Sequence, residues 1–333
     1  MKNRTPAPEQ QEPQLTFALE TPKINAEIGL RIQGLPANTR RISEHLLLAG
    51  GKRLRPLLTL LIGRAFGCFE QKLYTLGAAI EMLHTATLLH DDILDNADMR
   101  RSRAAAHLLF GTSQTLLAGD ALLAKSLLLV SSFGDTRFTD CVSEAVMRTA
   151  EGEIAELACL RNISISHADY VEIITGKTAW MLRAACELGA LLAKANESQL
   201  QAAARFGLEL GIAFQIVDDA LDFYPARAGA GTGKPRGGDL REGKITPPLL
   251  FYMAALSRQE AESFRRRFEN GDFSNADIER ICDEIHGQDH AGRARKLAEE
   301  HLEKAGAALE SFPPSQEKLV LQQMAYYILT REQ

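Results

Sequence analysis

The chain has 333 residues, of which 45% are hydrophobic and 24% are charged, and its formal net charge is −5. This balance is typical of a soluble globular protein that is long enough for one large domain or two ordinary ones. The negative charge argues against nucleic-acid binding, which needs a basic surface. Five cysteines without any Cys-x-x-Cys pair indicate reduced thiols in a cytoplasmic protein rather than a disulfide framework.

The N-terminal residues 1–20 are polar, rich in proline and without an apolar signal-peptide segment. We therefore predict a disordered tail there, followed by a single domain at 21–333. The longest apolar stretches fall short of the ~18 residues of a membrane-spanning helix. The stretch 116–130, for example, is interrupted by Asp120 and Lys125. We expect no transmembrane segment.

Apolar residues recur with helical spacing along most of the chain, and sustained strand-like alternation is scarce. The predicted helices are separated by a break at Gly34-Leu35-Pro36, a cationic turn at 50–56, a basic connector at 98–112 and a glycine-rich loop at 226–244. In chain order, helical segments are predicted over 21–50, from the cationic turn to 66, and over 71–96, 116–132, 135–160, 168–193, 199–223 and 246–331. The predicted fold class is all-α, a helical bundle with a central cavity lined by inward-facing helices.

Two Asp-Asp-x-x-Asp motifs lie at the ends of apolar helical runs. They consist of Asp91, Asp92 and Asp95, and of Asp218, Asp219 and Asp222. At helical pitch the first and last Asp of each motif share a face, and the second Asp points about 100° away. One such motif is usually a solvated helix end, but two among apolar residues call for a cation, because unpaired buried carboxylates are costly. Oxygen ligands favour Mg²⁺, and phosphate oxygens fill its open positions. The pair predicts a magnesium–diphosphate site.

Cationic side chains that could neutralise a bound diphosphate lie in turns next to apolar helices, where Arg binds phosphate bidentately and Lys acts as a point charge. An isolated member of this set would more simply be a solvent-facing charge. They are Lys52, Arg53, Arg55, Arg100, Arg101, Lys177, Lys234 and Lys244. His84 lies seven residues before Asp91 on about the same helix face, although a lone His is more often a core residue. Gln215 precedes Asp218 by three residues and can reach the same region.

Six motifs in a fixed order carry a resemblance to a known family. They are Gly-Gly-Lys-Arg-Leu-Arg-Pro at 50–56, Leu-Leu-His-Asp-Asp-Ile-Leu-Asp at 88–95, Arg100-Arg101, Gly176-Lys177-Thr178, Phe-Gln-Ile-Val-Asp-Asp-Ala-Leu-Asp at 214–222 and Gly-Asp-Leu-Arg-Glu-Gly-Lys at 238–244. From about residue 30 to its end, the chain resembles the trans-prenyltransferases, which are isoprenyl diphosphate synthases of the polyprenyl synthetase family. Its first acidic motif is most similar to that of long-chain, octaprenyl-type members. Ser102 and Ala104 stand where the family commonly has Gly and Pro.

The resemblance implies an isoprenoid-synthase-type helical bundle, usually a homodimer, with three Mg²⁺ ions. The implied substrates are isopentenyl diphosphate and an allylic diphosphate, with farnesyl or geranylgeranyl diphosphate as the expected primer. The implied metal ligands are Asp91, Asp95, Asp218 and Asp222, and the catalytic set also includes Asp92, Asp219 and Lys177. The allylic substrate would be bound by Arg100, Lys177, Thr178, Gln215 and Lys244, and Lys234 is a further substrate-binding candidate. The diphosphate of isopentenyl diphosphate would be bound by Lys52, Arg55, His84 and Arg101.

Metals and cations that take up the charge of a diphosphate would allow an allylic C–O bond to ionise. The double bond of isopentenyl diphosphate would then attack the cation, with the released diphosphate as the hypothesised base and with Thr178 and Gln215 steadying the cation. The product would grow along a tunnel beside the helix that leads to the first motif. The side chains expected on its wall are Ala86, Thr87, Met82 and Leu83. Ala86 and Thr87 are small where short-chain members carry aromatics, which favours a medium- or long-chain product.

Three other classes share part of this pattern. A short-chain farnesyl or geranylgeranyl diphosphate synthase would need a floor near Met82 and Leu83. A terpene cyclase usually replaces the second acidic motif, and a His-Asp metal phosphohydrolase would match His90 and Asp91 but needs further His ligands. A regulatory subunit of a heteromeric prenyltransferase typically loses acidic residues, whereas this chain keeps all six.

Overall fold

The computed structural model describes residues 8–224 and 236–330. It is 78% helical, which confirms the all-α prediction. Within the described ranges the α-helices are, in chain order, α1 Pro8–Ile32, α2 Ala37–Leu47, α3 Leu54–Ala65, α4 Lys72–Leu94, α5 Ala106–Phe110, α6 Thr112–Ser131, α7 Thr136–Cys159, α8 His167–Ile174, α9 Trp180–Leu192, α10 Glu197–Leu221, α11 Gly238–Glu242, α12 Pro247–Ala255, α13 Arg258–Asn270, α14 Asn275–Gly287, α15 His290–Leu309 and α16 Gln316–Thr330.

The basic connector predicted at 98–112 is more structured than a loop. Strands β1 (Met99–Arg100) and β2 (Arg103–Ala104) form an antiparallel hairpin, which is followed by α5. The two turn residues, Arg101 and Ser102, have φ angles of 51° and 59°. Two left-handed residues in a two-residue turn are typical of a type I′ hairpin. Ser102 thus adopts a conformation that a glycine would reach with less strain, so the departure from the family pattern leaves the turn in place.

The predicted break after the first helix is confirmed, since α1 ends at Ile32 and α2 begins at Ala37. The helix predicted over 168–193 is instead divided by a π-helical turn at Thr175–Ala179, which lies between α8 and α9. The predicted glycine-rich loop contains α11 at its end. Residues 226–235 of that loop, including Lys234, lie outside the described residues, as does residue 225 before it.

Helix α1 begins at Pro8, so residues 8–20 are helical where the sequence predicted a disordered tail. Tertiary contacts hold the end of this segment. The buried Glu20 accepts hydrogen bonds from the Tyr74 hydroxyl (2.6 Å) and from Arg64 Nη1 (3.2 Å). These partners lie 54 and 44 residues away along the chain, and a local reading of composition does not detect them. Residues 1–7 lie outside the described part of the chain.

The chain divides into two compact units, each discontinuous in sequence. The first consists of Met1–Val146, Met181–Gly207 and Ala308–Met324, and the second of Met147–Trp180, Leu208–Ala307 and Ala325–Gln333. A single domain at 21–333 stays a prediction.

The core of the first unit is built around α4, which packs against α1, α3 and α6. Its apolar side chains, such as Leu76, Ile80 and Leu83, are fully buried. Ser126 on α6 donates a hydrogen bond to the carbonyl oxygen of Ala79 at 2.8 Å, which fixes the two helices side by side. The C-terminal end of α4 carries the first acidic motif, so this packing sets its position.

In the second unit, glycines allow the π-helical turn to approach its neighbours. A Cβ atom on Gly152 of α7 would lie 2.3 Å from the Lys177 nitrogen, and one on Gly211 of α10 would lie 2.6 Å from the Ala179 Cα. Side chains larger than hydrogen at these positions would push the backbones apart. The close approach therefore holds Gly176-Lys177-Thr178 against α7 and α10, and π-helical turns of this kind are frequent at functional sites.

Two helices in the described ranges, α6 and α10, are long and apolar enough to cross a membrane by length and composition alone. In their most apolar 18-residue windows, 39% and 61% of the residues, respectively, are buried within the protein. Core helices of compact proteins pass the same test, as α10 with its buried majority illustrates. The absence of a transmembrane segment stays a prediction.

Candidate active site

The first acidic motif continues the helical pitch of α4, because the Asp95 amide donates to the Asp91 carbonyl at 2.8 Å. Asp91 and Asp95 therefore lie on one face, as the spacing predicts. Asp92 points elsewhere and is 1% exposed. Its Oδ1 accepts a hydrogen bond from Arg100 Nε at 2.6 Å and lies 2.6 Å from Arg100 Nη2. The structure thus places Asp92 and Arg100 in an ion pair that anchors the hairpin to α4.

A cluster of cations lies beside this motif in the first unit. Arg101 donates to the carbonyl oxygens of Leu46 (3.0 Å) and Gly50 (2.6 Å). A Cβ atom at Gly51, where φ is +140°, would lie 3.2 Å from the Arg101 guanidinium carbon. The two glycines of the cationic turn therefore make room for an arginine from the hairpin. Lys52 is exposed in the same turn.

Arg55 completes this cluster. Within the described ranges, its buried Nε has no hydrogen-bond partner, and no carboxylate forms an ion pair with either Arg55 or Arg101. Burial lowers the pKa of Arg55 to about 10 and also lowers that of Arg101. Burial and the charges of Arg55 and Arg101 hold the pKa of His84 well below its usual value. Two cations without an ion-pair partner in the described ranges and a neutral imidazole make this an anion site.

Arg53, another candidate for phosphate binding, has a different role. It is left-handed (φ 48°), and its side chain is 1% exposed. It donates to Asn25 Oδ1 (2.8 Å), Glu81 Oε1 (2.7 Å) and the Leu47 carbonyl. All of its donor groups in the guanidinium fork are directed into the protein. Arg53 therefore holds the cationic turn in place and does not face a ligand.

The second acidic motif lies at the end of α10, and Asp219 is its buried member. Asp219 accepts hydrogen bonds from the Tyr170 hydroxyl (2.6 Å) and from Gln215 Nε2 (2.7 Å). Gln215 Oε1 in turn accepts from the Thr178 hydroxyl at 2.9 Å. Burial, reinforced by Asp218 and Glu156, raises the pKa of Asp219 to about 7 despite these hydrogen bonds. The predicted residues Thr178, Gln215 and Asp219 thus form one connected chain.

The two predicted lysines of the second unit lie in a network of glutamates. Lys177 Nζ contacts Glu153 at 2.9 Å and also Glu156. Lys244 Nζ contacts Glu242 at 2.6 Å and Glu156 at 3.5 Å. Burial opposes the charge of each lysine, but the glutamates outweigh it and raise the pKa of both. Both lysines are therefore fully charged and held in place.

These groups line a cavity of about 100 Å³ in the second unit. Its polar lining includes Glu156, Lys177, Asp219, Asp239 and Lys244, and its apolar lining consists of Leu160, Ile165, Ile173, Ile174 and Ile245. The cavity thus places charged groups and an apolar wall together, as a substrate with a charged head and a hydrocarbon body requires.

The carboxylates of the second unit fit a magnesium site. Asp222 Oδ2 accepts a hydrogen bond from the Asp239 amide at 3.0 Å. Within the described residues, Asp239 Oδ2 is buried without a partner. Burial and the charges of Asp219 and Asp222 raise the pKa of Asp239 well above its usual value. Such crowding of oxygen donors is relieved by a hard divalent cation.

No group of three or more potential ligands in the described ranges is arranged around a common metal position. Magnesium that is bound with phosphates needs only one or two carboxylates from the protein. The His-Asp phosphohydrolase alternative needs several His ligands, and His90 Nε2 instead lies 3.1 Å from the Leu116 carbonyl oxygen.

The residues predicted to set chain length are on α4. Met82, Leu83 and Ala86 are buried. Thr87 is half-buried, and its hydroxyl donates to the His84 carbonyl at 2.8 Å. Their predicted role in a product tunnel stays a prediction.

Sequence reasoning missed Tyr170, Glu153, Glu156 and Asp239. Glu153 and Glu156 had a detectable signal, since their i, i+3 spacing puts two carboxylates on one face of the predicted helix. Asp239 lies in a motif already quoted for its lysine. Tyr170 had no signal, because its partner Asp219 is 49 residues away.

Comparison with known proteins agrees with this geometry. Residues 36–285 match the family model for polyprenyl synthetase. The chain is 33% identical over 309 residues to an octaprenyl diphosphate synthase of Escherichia coli, covering 93% of this chain and 95% of the relative. It is also similar to the crystal structure of a polyprenyl synthase from Caulobacter crescentus complexed with calcium and isoprenyl diphosphate, with a TM-score of 0.91, 36% identity and coverage of 98% and 100% of the two chains. A decaprenyl diphosphate synthase from Rhodobacter capsulatus gives a TM-score of 0.88 at 34% identity, covering 97% of this chain and 99% of that one.

The chain belongs to the polyprenyl synthetase family. It is accordingly a prenyltransferase of isoprenoid biosynthesis, which confirms the class predicted from the six motifs.

Proposed function

We propose that this prenyltransferase condenses isopentenyl diphosphate with farnesyl or geranylgeranyl diphosphate and makes a medium- or long-chain all-trans polyprenyl diphosphate. The observation that carries this proposal is the anion site with two cations, Arg55 and Arg101, that form no ion pair with any described carboxylate. Such a site calls for a polyanion, and diphosphate has the charge and the oxygens that arginine forks bind. The octaprenyl and decaprenyl synthases among the similar proteins support a long product.

Most of the predicted site residues have a role in this proposal. Arg55, Arg101, His84 and Lys52 bind the diphosphate of isopentenyl diphosphate, which lacks the allylic C–O bond that ionises. Lys177 and Lys244 bind the diphosphate of the allylic substrate. Asp91, Asp95, Asp218 and Asp222 would hold magnesium, which supplies positive charge to the diphosphate leaving group when it is bound.

The reaction begins when the allylic C–O bond breaks and its electron pair leaves with the diphosphate. Charged lysines stabilise this leaving group. The double bond of isopentenyl diphosphate then attacks the allylic carbon, and the proton that is lost goes to the released diphosphate. Thr178 and Gln215 face the site with oxygen dipoles that steady the cation, and their mutual hydrogen bond of 2.9 Å keeps them oriented.

We also propose that the protein is cytoplasmic and a homodimer. Large exposed apolar side chains on the neighbouring helices α5 and α6 support the dimer, since exposed apolar surface marks interaction sites. They are Leu108, Leu109, Leu116, Leu117 and Leu128, which are 45–66% exposed.

Sizing of the reaction products tests the proposal. The purified chain is incubated with Mg²⁺, labelled isopentenyl diphosphate and farnesyl diphosphate, and the dephosphorylated products are separated by length. We expect products well beyond twenty carbons. A stop at fifteen or twenty carbons would favour the short-chain alternative, and no condensation at all would favour the regulatory subunit.

Two substitutions extend this test. Ala86→Phe should shorten the product sharply, whereas Ala255→Phe, at an exposed position on α12, should not. Equal products from both variants would rule out the proposed tunnel wall.

Asp218→Ala should abolish turnover, whereas the exposed control Asp272→Ala should keep it. Near-normal turnover of Asp218→Ala would contradict the magnesium role.

A further inference from the structure

Glu156 has an unusual position among the charged groups of the second unit. Its carboxylate contacts the ammonium groups of both Lys177 and Lys244. The other two glutamates of the network each contact one lysine, Glu153 contacting Lys177 and Glu242 contacting Lys244. Glu156 is thus the carboxylate that bridges the two cations proposed to bind the allylic diphosphate.

The network has a net negative charge, which disfavours the binding of a diphosphate anion. Three carboxylates surround two ammonium groups, which leaves one excess negative charge. Asp219 and Asp239 line the same cavity. A free diphosphate approaching the lysines would meet like charge at short range, where the partly buried location weakens solvent screening.

We propose that Glu156 is a positioning and specificity residue that competes with diphosphate for Lys177 and Lys244. Its carboxylate holds both ammonium groups at the cavity until a ligand displaces it. The network therefore discriminates against metal-free diphosphate. The proposal rests on the proposed function, because it assigns the two lysines to the allylic diphosphate.

The competition follows from the exposure of the partners. The side chains of Glu156, Lys177 and Lys244 are 18%, 22% and 19% exposed, so a ligand in the cavity can reach all three. Each lysine keeps a second glutamate when Glu156 turns away. Neither ammonium group would then be buried without a counter-charge, and the exchange is accessible at moderate cost.

Calorimetric titration with inorganic pyrophosphate in EDTA tests this inference without metal and without turnover. Glu156→Gln preserves the size of the side chain and removes its charge. We expect Glu156→Gln to bind pyrophosphate about tenfold more tightly than the wild type, the equivalent of one modest ion pair. Glu156→Asp, which restores the charge, should return to wild-type affinity. Unchanged or weaker binding by Glu156→Gln would overturn the proposal.

Pyrophosphate can also bind at the arginine site of the first unit. A control must therefore show that the tighter binding of Glu156→Gln arises at the lysines. The double variant Glu156→Gln with Lys177→Gln should lose the gain. A gain that persists in this variant would place the binding elsewhere and contradict the proposal. Glu242 is 48% exposed and contacts Lys244 alone, so Glu242→Gln should change affinity by less than about twofold.

Steady-state kinetics separates this role from a purely structural one. Glu156→Gln should lower KM for the allylic substrate and leave KM for isopentenyl diphosphate unchanged. A chain that binds pyrophosphate as described but forms no condensation product would contradict the proposed function alone. A chain that condenses normally but shows no gain in Glu156→Gln would contradict the role of Glu156 alone.

Discussion

The two sites that we propose for diphosphate, one in each unit, use different cations. The first uses arginines, and Arg55 and Arg101 have no carboxylate partner in the described ranges. The second uses lysines, and three glutamates surround Lys177 and Lys244. A surplus of positive charge makes an anion site that is ready without help. A surplus of negative charge makes a site that needs a cation before an anion can bind, as expected where magnesium accompanies the allylic diphosphate.

The difference extends to rigidity. Arg101 is fixed by two backbone carbonyls, and the turn that carries Arg55 is fixed by the buried pair of Arg53 and Glu81. Arginine presents a planar fork that is already oriented, whereas a lysine ammonium is a point charge on a flexible stem. The first site is therefore preformed, and the second can exchange its partners.

The largest loss of stability should come from removing Arg53, which holds the turn of the arginine site in the first unit. In Arg53→Met, the carboxylate of Glu81, 3% exposed, would stay buried without its partner. Breaking such a pair costs about 3–5 kcal/mol of unfolding free energy. Urea denaturation of Arg53→Met and the wild type measures this loss.

A second variant tests whether this loss arises from the unpaired charge of Glu81. Combining Arg53→Met with Glu81→Leu removes both charges, so most of the lost unfolding free energy should return. A single variant that loses less than about 1 kcal/mol would mean that water reaches Glu81 and that the site is not rigidly supported.

Substitution of one cation in each site should separate the two substrates. Arg55→Gln should raise KM for isopentenyl diphosphate by about 10- to 100-fold, because a hydrogen bond to a charged group contributes about 1.5–3 kcal/mol. Lys244→Gln should raise KM for the allylic diphosphate instead. Each KM is measured with the other substrate at saturation. An equal rise of both KM values in both variants would show that the two sites do not bind different substrates.

The smallest effect concerns the neutral histidine of the rigid site. Burial and the neighbouring arginines hold the pKa of His84 well below its value in the unfolded chain, about 6.5. Below pH 6.5 the unfolded chain binds a proton that the folded chain does not, so stability falls as the pH falls through this window. Above it, His84 adds no pH dependence. The slope reaches at most about 1.4 kcal/mol per pH unit.

Denaturation of the wild type and of His84→Gln between pH 5 and pH 8 isolates this contribution. We expect the wild type to lose more stability than His84→Gln below about pH 6.5. Parallel curves would show that His84 can take up a proton in the folded protein. In that case burial and the neighbouring arginines would not keep His84 neutral.

Local sequence was sufficient to predict features that depend on residue type and spacing within one segment of the chain. The i, i+4 carboxylates and the break at Gly34-Leu35-Pro36 are of this kind. It was insufficient where two similar residues differ only in surroundings. Arg53 and Arg55 are both arginines of the cationic turn, yet the first is enclosed by Asn25, Leu47 and Glu81. Those partners come from other elements, and the turn itself does not reveal them.

The sequence by itself determined the all-α class, the two acidic motifs, the cations near them and the family, because each depends on residue type and short-range periodicity. Only the tertiary structure decided which charges are satisfied within the protein. It pairs Asp92 with Arg100, joins Asp219 to Tyr170 and places Glu156 on both lysines. The physical reason is that burial and charge compensation depend on distances across 8 to 88 residues of chain, and helical spacing does not encode those distances.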